Sequence, residues 1–415
     1  MTPEISARAR ALPPSPIRKL VPLADEAKSK GRHVYHLNIG QPDMATPEPL
    51  LRAVRNFDQP VVAYSPSHGE SECVDFFVEY YKRLGLKLGR EHLNVTTGGS
   101  EALLFAMMAV ANPGEEIVVA EPYYTNYRAV AQLCGLTIVP VTTHPEDGYH
   151  LPPAAAIEKV LTSRTRAILL CNPNNPTGTV YTDAEIEMVA QLCRKHGLFW
   201  LSDEVYREFV YDGPTARSAL SFEDLADRVV VVDSVSKRYS ACGARIGAIV
   251  SRNVELMQSC LRMAQSRLSS PLFGQVLAAA GRHLDPAYFD SAKEEYKRRR
   301  DLLHDMLNAI PGVFSRKPEG AFYTMARLPV PDAEAFASWL LTDFHKDNCT
   351  VMVAPGAGFY ATPDLGRDEV RIAYVLKLDD IKHAMEIFRA ALDAYPFRAK
   401  SAPRADASGD ALAAP

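Results

Sequence analysis

The stretch at residues 228–240, RVVVVDSVSKRYS, decides the fold class, because four consecutive valines are typical of a strand buried inside a sheet. This strand-like run ends in a polar segment that contains Ser234, Ser236 and Lys237. In open α/β sheets, functional groups collect at the carboxyl ends of the strands. Lys237 is therefore either an ordinary solvated charge or a nucleophile placed at the sheet edge for chemistry.

The same kind of strand recurs on both sides of this stretch, from about residue 94 to residue 250. Strand-like runs lie at residues 95–97, 117–120, 137–141, 167–171, 198–202, 229–233 and 246–250, and helical patterns separate several of them. This alternation predicts an α/β fold with a mostly parallel seven-stranded sheet between helices. After about residue 291, longer helices and fewer strands predict a smaller α+β domain.

The chain of 415 residues is too long for one simple core, and two domains are expected. We predict that residues 1–50 form an N-terminal arm and part of the small domain. The large domain, which carries the functional site, is predicted at residues 51–290, and the small C-terminal domain at 291–397. The tail, residues 398–415, has low complexity and no aromatic residue, which predicts disorder.

Composition argues against several classes of protein. A net charge of −4 over 415 residues gives no support to a nucleic-acid or membrane-surface partner. No run of about 18 apolar residues predicts a membrane helix, and no secretory signal is expected at the start. The seven cysteines are widely spaced without a CxxC pair, which predicts reduced thiols in the cytoplasm. No metal site is expected, and we assign His33 and His36 a structural role.

A glycine pair between a strand and a helix is a candidate anion site. Gly98 and Gly99 are followed by Ser100 and Glu101, where the helical pattern begins. Backbone N–H groups at a helix N-terminus attract an anion, and glycines let it approach closely. Taken alone, a plain tight turn capped by Ser100 is the better explanation. The Gly-Lys-Ser/Thr ending of a nucleotide-binding P-loop is missing.

Two further strand ends carry polar residues. The segment at 171–178, CNPNNPTG, contains two Asn-Pro steps, which fix a turned backbone and hold the Asn175 amide at the sheet edge. Asp203 ends the next strand, and Tyr206 follows three residues later, so both side chains can address one ligand. An ordinary turn and an ordinary helix cap would also explain these segments.

Arg245 follows Lys237 by eight residues. A lysine beside two serines and near an arginine is expected to have a lowered pKa, and a neutral amine can form a Schiff base with a carbonyl. A solvated lysine is the commoner case for any single lysine. The ordered set of an anion site, an amide, an acid with a phenol, and a lysine with an arginine suits a flat, phosphorylated aromatic aldehyde.

Together these motifs resemble the fold-type I pyridoxal-phosphate (PLP) enzymes of the class I and II aminotransferase family, of the aspartate aminotransferase kind. The resemblance covers roughly residues 15–395. It implies PLP as the cofactor, with Lys237 as the Schiff-base lysine and later proton carrier. It implies that Asp203 keeps the pyridinium nitrogen protonated, and that Tyr206 and Asn175 contact the ring hydroxyl oxygen.

The resemblance also implies how the rest of the cofactor is held. Tyr124 would stack on the ring face. The phosphate would be bound by Gly99, Ser100, Glu101, Ser234, Ser236 and Arg245. Tyr64 matches the tyrosine that reaches the phosphate of the neighbouring subunit, which implies a homodimer with shared active sites.

Substrate binding is implied at three positions. Arg371 would bind the α-carboxylate as a bidentate pair, with the Gly40 backbone and Asn175 beside it. A salt bridge on a surface strand is the weaker explanation of Arg371. A dicarboxylate substrate would want a second cation, and the candidates are Arg18, Lys19, Arg262 and Arg267.

The implied activity is ping-pong transfer of an amino group between an L-amino acid and a 2-oxo acid in cytoplasmic amino-acid biosynthesis. The alternative is a PLP lyase or synthase on the same scaffold. Ala244 stands where many relatives have a bulky residue; this difference either leaves extra room near the phosphate or is a trait of a subgroup. A PLP-binding regulator is disfavoured because only about forty residues precede the first motif, too few for a DNA-binding domain. A structural homologue without cofactor would lack visible absorbance.

Overall fold

The computed structural model describes residues 3–12 and 14–398. Apart from Arg398, the tail predicted to be disordered lies outside the described residues. The helices are α1 Ala7–Ala11, α2 Val21–Ser29, α3 Glu48–Arg55, α4 Ser71–Arg83, α5 Gly99–Val110, α6 Asn126–Cys134, α7 Ala154–Glu158, α8 Asp183–His196, α9 Val235–Arg238, α10 Val254–Ser266, α11 Leu272–Ala280, α12 Ala287–Asn308, α13 Ala333–Thr342 and α14 Leu378–Ala394.

The strands form a large sheet and two small ones. Their bounds are β1 His33–His36, β2 Leu93–Thr96, β3 Glu116–Glu121, β4 Thr137–Thr142, β5 Thr165–Cys171, β6 Phe199–Asp203, β7 Val229–Ser234, β8 Gly247–Val250, β9 Phe314–Ser315, β10 Tyr323–Arg327, β11 Cys349–Met352, β12 Ala354–Pro355 and β13 Glu369–Ala373. The large sheet has seven strands in the order β2-β8-β7-β6-β5-β3-β4. Only β8 runs antiparallel to its neighbours, so the predicted mostly parallel sheet is confirmed.

The four valines of β7 explain why this strand lies inside the sheet. Val230 and Val232 belong to one hydrophobic cluster, whereas Val229 and Val231 belong to the cluster on the opposite face. Successive side chains of a strand point to opposite faces, so a continuous apolar run fits a strand that is covered by helices on both sides.

The smaller part of the fold is built on the antiparallel sheet β12-β13-β10-β9 and on the parallel pair β1-β11. The pairing of β1 with β11 joins residues 33–36 to the C-terminal region. Helix α12 begins before residue 290 and continues to Asn308, across the boundary that we predicted. The domain boundaries stay predictions.

The topology brings three polar strand ends together. Cys171, Asp203 and Ser234 are the last residues of β5, β6 and β7, which are neighbours and parallel. The short helix α9 follows β7 directly and is capped by the Ser234 hydroxyl, which accepts a hydrogen bond from the Ser236 N–H at 3.1 Å. The carboxyl edge of the sheet therefore presents Asp203 and Lys237 side by side.

Candidate active site

A cavity of about 630 Å³ opens at this carboxyl edge, within the size range of small-molecule sites. The structure brings most of the predicted site residues together around it. These residues are Gly40, Gly99, Ser100, Tyr124, Asn175, Asp203, Tyr206, Ser234, Ser236, Lys237, Arg245 and Arg371. Glu101 and Tyr64 do not line it.

Lys237 lies in the interior of this cavity. Its Nζ donates a hydrogen bond to the Gly40 carbonyl at 2.7 Å and lies 3.9 Å from the Cys242 thiol. Burial by itself lowers the pKa of Lys237, but the Tyr323 phenol, the Cys242 thiol and the Tyr124 phenol outweigh it, and the pKa is raised. The lowered pKa expected from the sequence is therefore wrong for this structure.

Asp203 is buried beside Lys237. The Tyr127 hydroxyl donates to its Oδ2 at 2.6 Å, and the Val205 N–H donates to its Oδ1 at 3.3 Å. Burial outweighs these two hydrogen bonds and raises the pKa of Asp203 to about 6. We did not predict Tyr127, although it follows Tyr124 by three residues and its ring meets the Tyr124 ring edge-on at 5.6 Å.

Tyr206 contacts a second residue that we did not predict. Its hydroxyl lies 2.9 Å from the hydroxyl of Tyr323, which is buried at the start of β10. The Tyr323 ring also faces the Arg371 guanidinium at 4.4 Å and fills the space beside Gly40, where a Cβ would lie 1.9 Å from the phenol oxygen. Tyr323 is reached through the pairing of β10 with β13, which no local pattern reveals.

Arg371 is 1% exposed, which excludes the explanation as a surface salt bridge. Its guanidinium donates to the Asn175 side-chain oxygen at 2.9 Å and to the Asn38 carbonyl at 2.6 Å. Its Nε has no hydrogen-bond partner, and no carboxylate within the described part of the chain pairs with it. Burial lowers the pKa of Arg371. A buried cation without a counter-ion is suited to a carboxylate ligand.

The opposite end of the cavity forms a cradle for an anion. Helix α5 begins at Gly99, and Gly98 before it has a φ of 74°. A Cβ at Gly98 would lie 2.6 Å from the Arg245 guanidinium, so glycine lets this cation rest on the loop. The hydroxyls of Ser234 and Ser236 lie 2.9 Å apart at the same end. Hydroxyls, helix N–H groups and a guanidinium fit a phosphate.

These two ends fit PLP and an amino-acid substrate together. The cradle suits the phosphate, the buried Asp203 suits the ring nitrogen, and the incompletely satisfied Arg371 suits a carboxylate. Tyr124 lines the same cavity.

Glu101 and Tyr64 lie in a different recess. The Glu101 carboxylate accepts a hydrogen bond from the Thr97 N–H and pairs with Arg267 at 3.1 Å, so its side chain points away from the cavity. Both residues line a neighbouring recess with Arg267 and Leu272, and Tyr64 is 80% exposed. A backbone contact from Glu101 to a phosphate stays a prediction.

Of the four candidate cations for a second carboxylate, Arg18 alone lines the cavity. Lys19 pairs with Glu334, Arg267 pairs with Glu101, and Arg262 donates to Ser259. Arg18 has no ion-pair partner among the residues that the structure describes. It is therefore an uncompensated cation at the edge of the cavity.

Residues 3–12 and 14–398 offer neither a metal site nor a membrane-spanning helix. No group of three or more His, Cys, Asp or Glu side chains there is arranged to hold a metal ion. No helix in this part of the chain is both long and apolar enough to cross a bilayer. All seven cysteines are free thiols.

Comparison with known proteins gives a consistent result. The family model described as aminotransferase class I and II matches residues 32–388. An aspartate/prephenate aminotransferase from Thermus thermophilus is 30% identical over 94% of this chain and 98% of its own length. The Thermus thermophilus aspartate aminotransferase solved with maleate is 29% identical, with a TM-score of 0.85 over 94% of this chain and all of that one. A solved alanine aminotransferase from Pyrococcus furiosus is also 29% identical, with a TM-score of 0.85 over 93% of this chain and 99% of its own.

Proposed function

Because the chain belongs to the class I and II aminotransferase family and is a PLP-dependent transaminase, we propose that its cavity transfers the amino group of an acidic L-amino acid to a 2-oxo acid. The family predicted from the motifs is thereby confirmed. The observation that carries the proposal is the convergence of Lys237, Asp203 and Arg371 on one cavity. These residues offer an amine that can move a proton, a carboxylate for the ring nitrogen and a guanidinium for the α-carboxylate.

The cofactor end is proposed to be held by the cradle and the buried acid. When bound, PLP supplies an aldehyde that takes up the substrate amino group and a cationic ring that accepts electron density from the α-carbon. Asp203 would hold the proton on the ring nitrogen, and the Tyr127 hydroxyl keeps the Asp203 carboxylate oriented. Tyr206 and Asn175 would contact the ring hydroxyl oxygen, and Tyr124 would stack on the ring.

Lys237 is the proposed proton carrier. Its Nζ would take the proton from the α-carbon of the amino acid and deliver it to the cofactor carbon that holds the amino group. In the second half of the reaction it would carry a proton back to the α-carbon of the new amino acid. The Gly40 carbonyl, 2.7 Å away, holds the ammonium form inside the cavity. Arg371 fixes the substrate carboxylate by a bidentate pair, with the Tyr323 ring against the guanidinium.

Arg18 supports the choice of an acidic substrate. The Ser15–Leu20 segment is docked by the Asn38 side chain, which donates to the Ile17 carbonyl at 3.0 Å, and by the Lys19–Glu334 ion pair. Arg18 is then left at the cavity with no counter-ion among the described residues. A second carboxylate on the substrate would supply it.

The variant Arg18→Gln tests this choice. We expect kcat/KM for aspartate or glutamate to fall about tenfold, as for loss of one charged hydrogen bond, with kcat/KM for alanine unchanged. Lys19→Gln is the matched control, because it removes the same charge one residue away without facing the cavity. An equal loss for all donors would argue against a side-chain carboxylate at Arg18.

A reaction without acceptor separates transamination from the lyase or synthase alternative. We expect one equivalent of 2-oxo acid per active site and no ammonia, because the amino group stays on the cofactor until an acceptor arrives. Continuous release of ammonia would favour the alternative. The measurement is a quench of stoichiometric protein with an excess of amino donor.

We also propose a homodimer with shared sites, supported by the exposed Tyr64 and the exposed apolar side chains of Val61 and Val62. Mixing Lys237→Ala chains with Tyr64→Ala chains tests the sharing. If Tyr64 serves the partner, one site of each mixed dimer is intact and activity returns to about a quarter of wild type. If Tyr64 serves its own chain, both sites stay defective.

Localisation is proposed from the thiols. Seven widely spaced free cysteines support a reducing compartment, and we place the protein in the cytoplasm. Cell fractionation with an assay for the activity checks this.

A further inference from the structure

Behind the cavity, buried charges occupy the reverse side of the two turns that carry Asp203 and Lys237. Each proposed catalytic residue has a charged neighbour that faces the other way: Glu204 follows Asp203, and Arg238 follows Lys237. Glu204 is 2% exposed and Arg238 is 1% exposed. Charged side chains are almost never this deeply buried unless they are paired, so their partners define a structural unit.

Arg238 is paired with the residue that precedes its own turn. Its Nη2 donates to the two carboxylate oxygens of Asp233, at 2.7 and 3.0 Å. Asp233 also accepts from the Ser234 N–H at 2.7 Å and from the Tyr81 hydroxyl at 3.0 Å. Helix α9 has only four residues, too few to be stable alone, so this pair closes the turn that presents Lys237.

The turn after β6 has a similar arrangement. Glu204 forms an ion pair with Arg207, and its Oε1 accepts from the Ser202 hydroxyl at 2.8 Å and the Ala219 N–H at 2.9 Å. Arg207 is 2% exposed. The pair therefore closes the turn that presents Asp203 and Tyr206.

Two tyrosines of α4 connect the pairs. The Arg207 Nη1 donates to the Tyr80 hydroxyl at 3.2 Å, and the Arg238 guanidinium stacks 3.6 Å from the centre of the Tyr80 ring. Tyr81 bonds Asp233 and has the Arg207 guanidinium 5.3 Å from the centre of its ring. We call this set the buried charge network; its members are Tyr80, Tyr81, Glu204, Arg207, Asp233 and Arg238.

The network is better suited to fixing positions than to adding stability. The Nε and Nη1 of Arg238 and the Nε of Arg207 lack hydrogen-bond partners. Buried ion pairs lose much solvation, and incompletely bonded ones add little net stability. Such pairs do restrict geometry, because a guanidinium fork accepts only a narrow range of partner positions.

We infer that the buried charge network sets the position of Lys237 relative to Asp203, with Arg238 as its principal positioning residue. This inference rests on the proposed function of those two residues. Arg238 does not line the cavity, so it acts only through the turn that it shares with Lys237.

The test compares Arg238→Met with Arg300→Met in the PLP-loaded protein. Arg300 is also 1% exposed, pairs with Asp212 and lies 5.1 Å from the centre of the Tyr211 ring, but it is remote from both turns in the chain. The readouts are the melting temperature, the visible circular dichroism of the bound cofactor, and the rate of PLP release to a scavenger.

We expect both variants to melt at lower temperature. Arg238→Met leaves the buried Asp233 carboxylate without its charged partner, and Arg300→Met removes the hydrogen bond to the Pro318 carbonyl and the ion pair with the exposed Asp212. Only Arg238→Met is expected to change the visible circular dichroism and to speed PLP release about tenfold, the loss typical of one charged hydrogen bond. It should also lower kcat with little change in KM, since Arg371 is untouched. Release and dichroism that match Arg300→Met would overturn the inference.

Tyr81→Phe decides the matter if Arg238→Met does not fold, because it removes only one hydroxyl. We expect the same change in dichroism and PLP release about threefold faster, as for one neutral hydrogen bond. Wild-type values would again overturn the inference. Failure of the proposed function is distinguishable, since it would appear as absent amino transfer by the wild type while these cofactor readouts still separate the variants.

Discussion

The two faces of the turns after β6 and β7 differ in whether a buried arginine has a counter-ion. On the back, Arg238 is paired with Asp233. Burial lowers the pKa of Arg238, but Asp233, Tyr80, Tyr239 and Glu208 together outweigh it, and the pKa is raised. On the cavity side, Arg371 is equally buried but pairs with no carboxylate of the described residues, and its pKa is lowered. The fold supplies one counter-ion and leaves the other to a ligand. An uncompensated buried charge therefore marks binding more reliably than burial alone.

Removing the amine on the cavity face should have the largest effect. Lys237→Ala is expected to lower kcat by about 10³–10⁴-fold, since a positioned proton carrier contributes on that scale. Steady-state assays with a saturating donor measure it. The exposed Lys195, which pairs with Glu158, provides the control Lys195→Ala with unchanged kcat. If Lys237→Ala kept more than a tenth of wild-type activity, Lys237 would not be the proton carrier.

Arg371→Met should separate activity from stability. We expect kcat/KM to fall by about 10²–10³, because a buried carboxylate pair would be broken. The melting temperature of the ligand-free protein should stay the same or rise, since a buried cation without a counter-ion is lost. Arg238→Met, by contrast, should lower it. A clearly lower melting temperature of ligand-free Arg371→Met would mean that the folded protein itself compensates the charge of Arg371.

The effect of Asp203 on folding stability depends on pH. Its folded pKa of about 6 lies above the usual value near 4, so the folded state holds an extra proton between about pH 4 and pH 6. Folding stability is therefore lost as pH rises through this window. Asp203→Asn in the ligand-free protein should be more stable than wild type by about 2–3 kcal/mol above pH 7, with no difference below pH 4.

Urea unfolding at pH 4 and pH 8 measures this difference. The same variant should have strongly reduced transaminase activity, because an amide cannot hold the ring nitrogen protonated. Equal stability at both pH values would place Asp203 in a more solvated or better paired setting than its contacts indicate.

Tyr323→Phe should have the smallest effect. It removes the hydroxyl that lies 2.9 Å from the Tyr206 hydroxyl but keeps the ring against Arg371. The loss of one neutral hydrogen bond corresponds to about 0.5–1.5 kcal/mol, or a two- to tenfold lower kcat/KM. Initial-rate kinetics measure this loss. A much larger loss would mean that the Tyr323 hydroxyl itself contacts the reacting groups.

The site residues that lie at the ends of strands could be predicted from the sequence. Asp203 and Lys237 follow apolar runs directly, and parallel strands place such ends at one edge, so local order was enough to bring them together. The seven-stranded sheet followed from the same alternation. Arg371 was identified through its resemblance to a family motif.

Features that depend on distant pairings could not be predicted. Strand β10 brings Tyr323 to the cavity, and the segment after β1 brings Asn38 to it. No periodic pattern in the nearby sequence predicts such contacts. Glutamate and arginine usually lie at the solvent-exposed surface, yet Glu204 and Arg238 are both buried. Which side of a turn a charged residue takes is decided by packing against α4. The pKa of Lys237 was misjudged because it depends on the phenols of Tyr124 and Tyr323.

The close approach of Gly40 to Tyr323 has an evolutionary consequence. A Cβ at position 40 would lie 1.9 Å from the phenol oxygen and 2.2 Å from the ring carbon that carries it. Any larger residue at position 40 therefore requires a smaller one at position 323 beforehand. Substitution in the reverse order passes through an intermediate in which the ring is driven against Arg371 or Tyr206. The two sites form an epistatic pair with a permitted order of change, and any descendant of this protein with a larger residue at position 40 should also carry a smaller one at position 323.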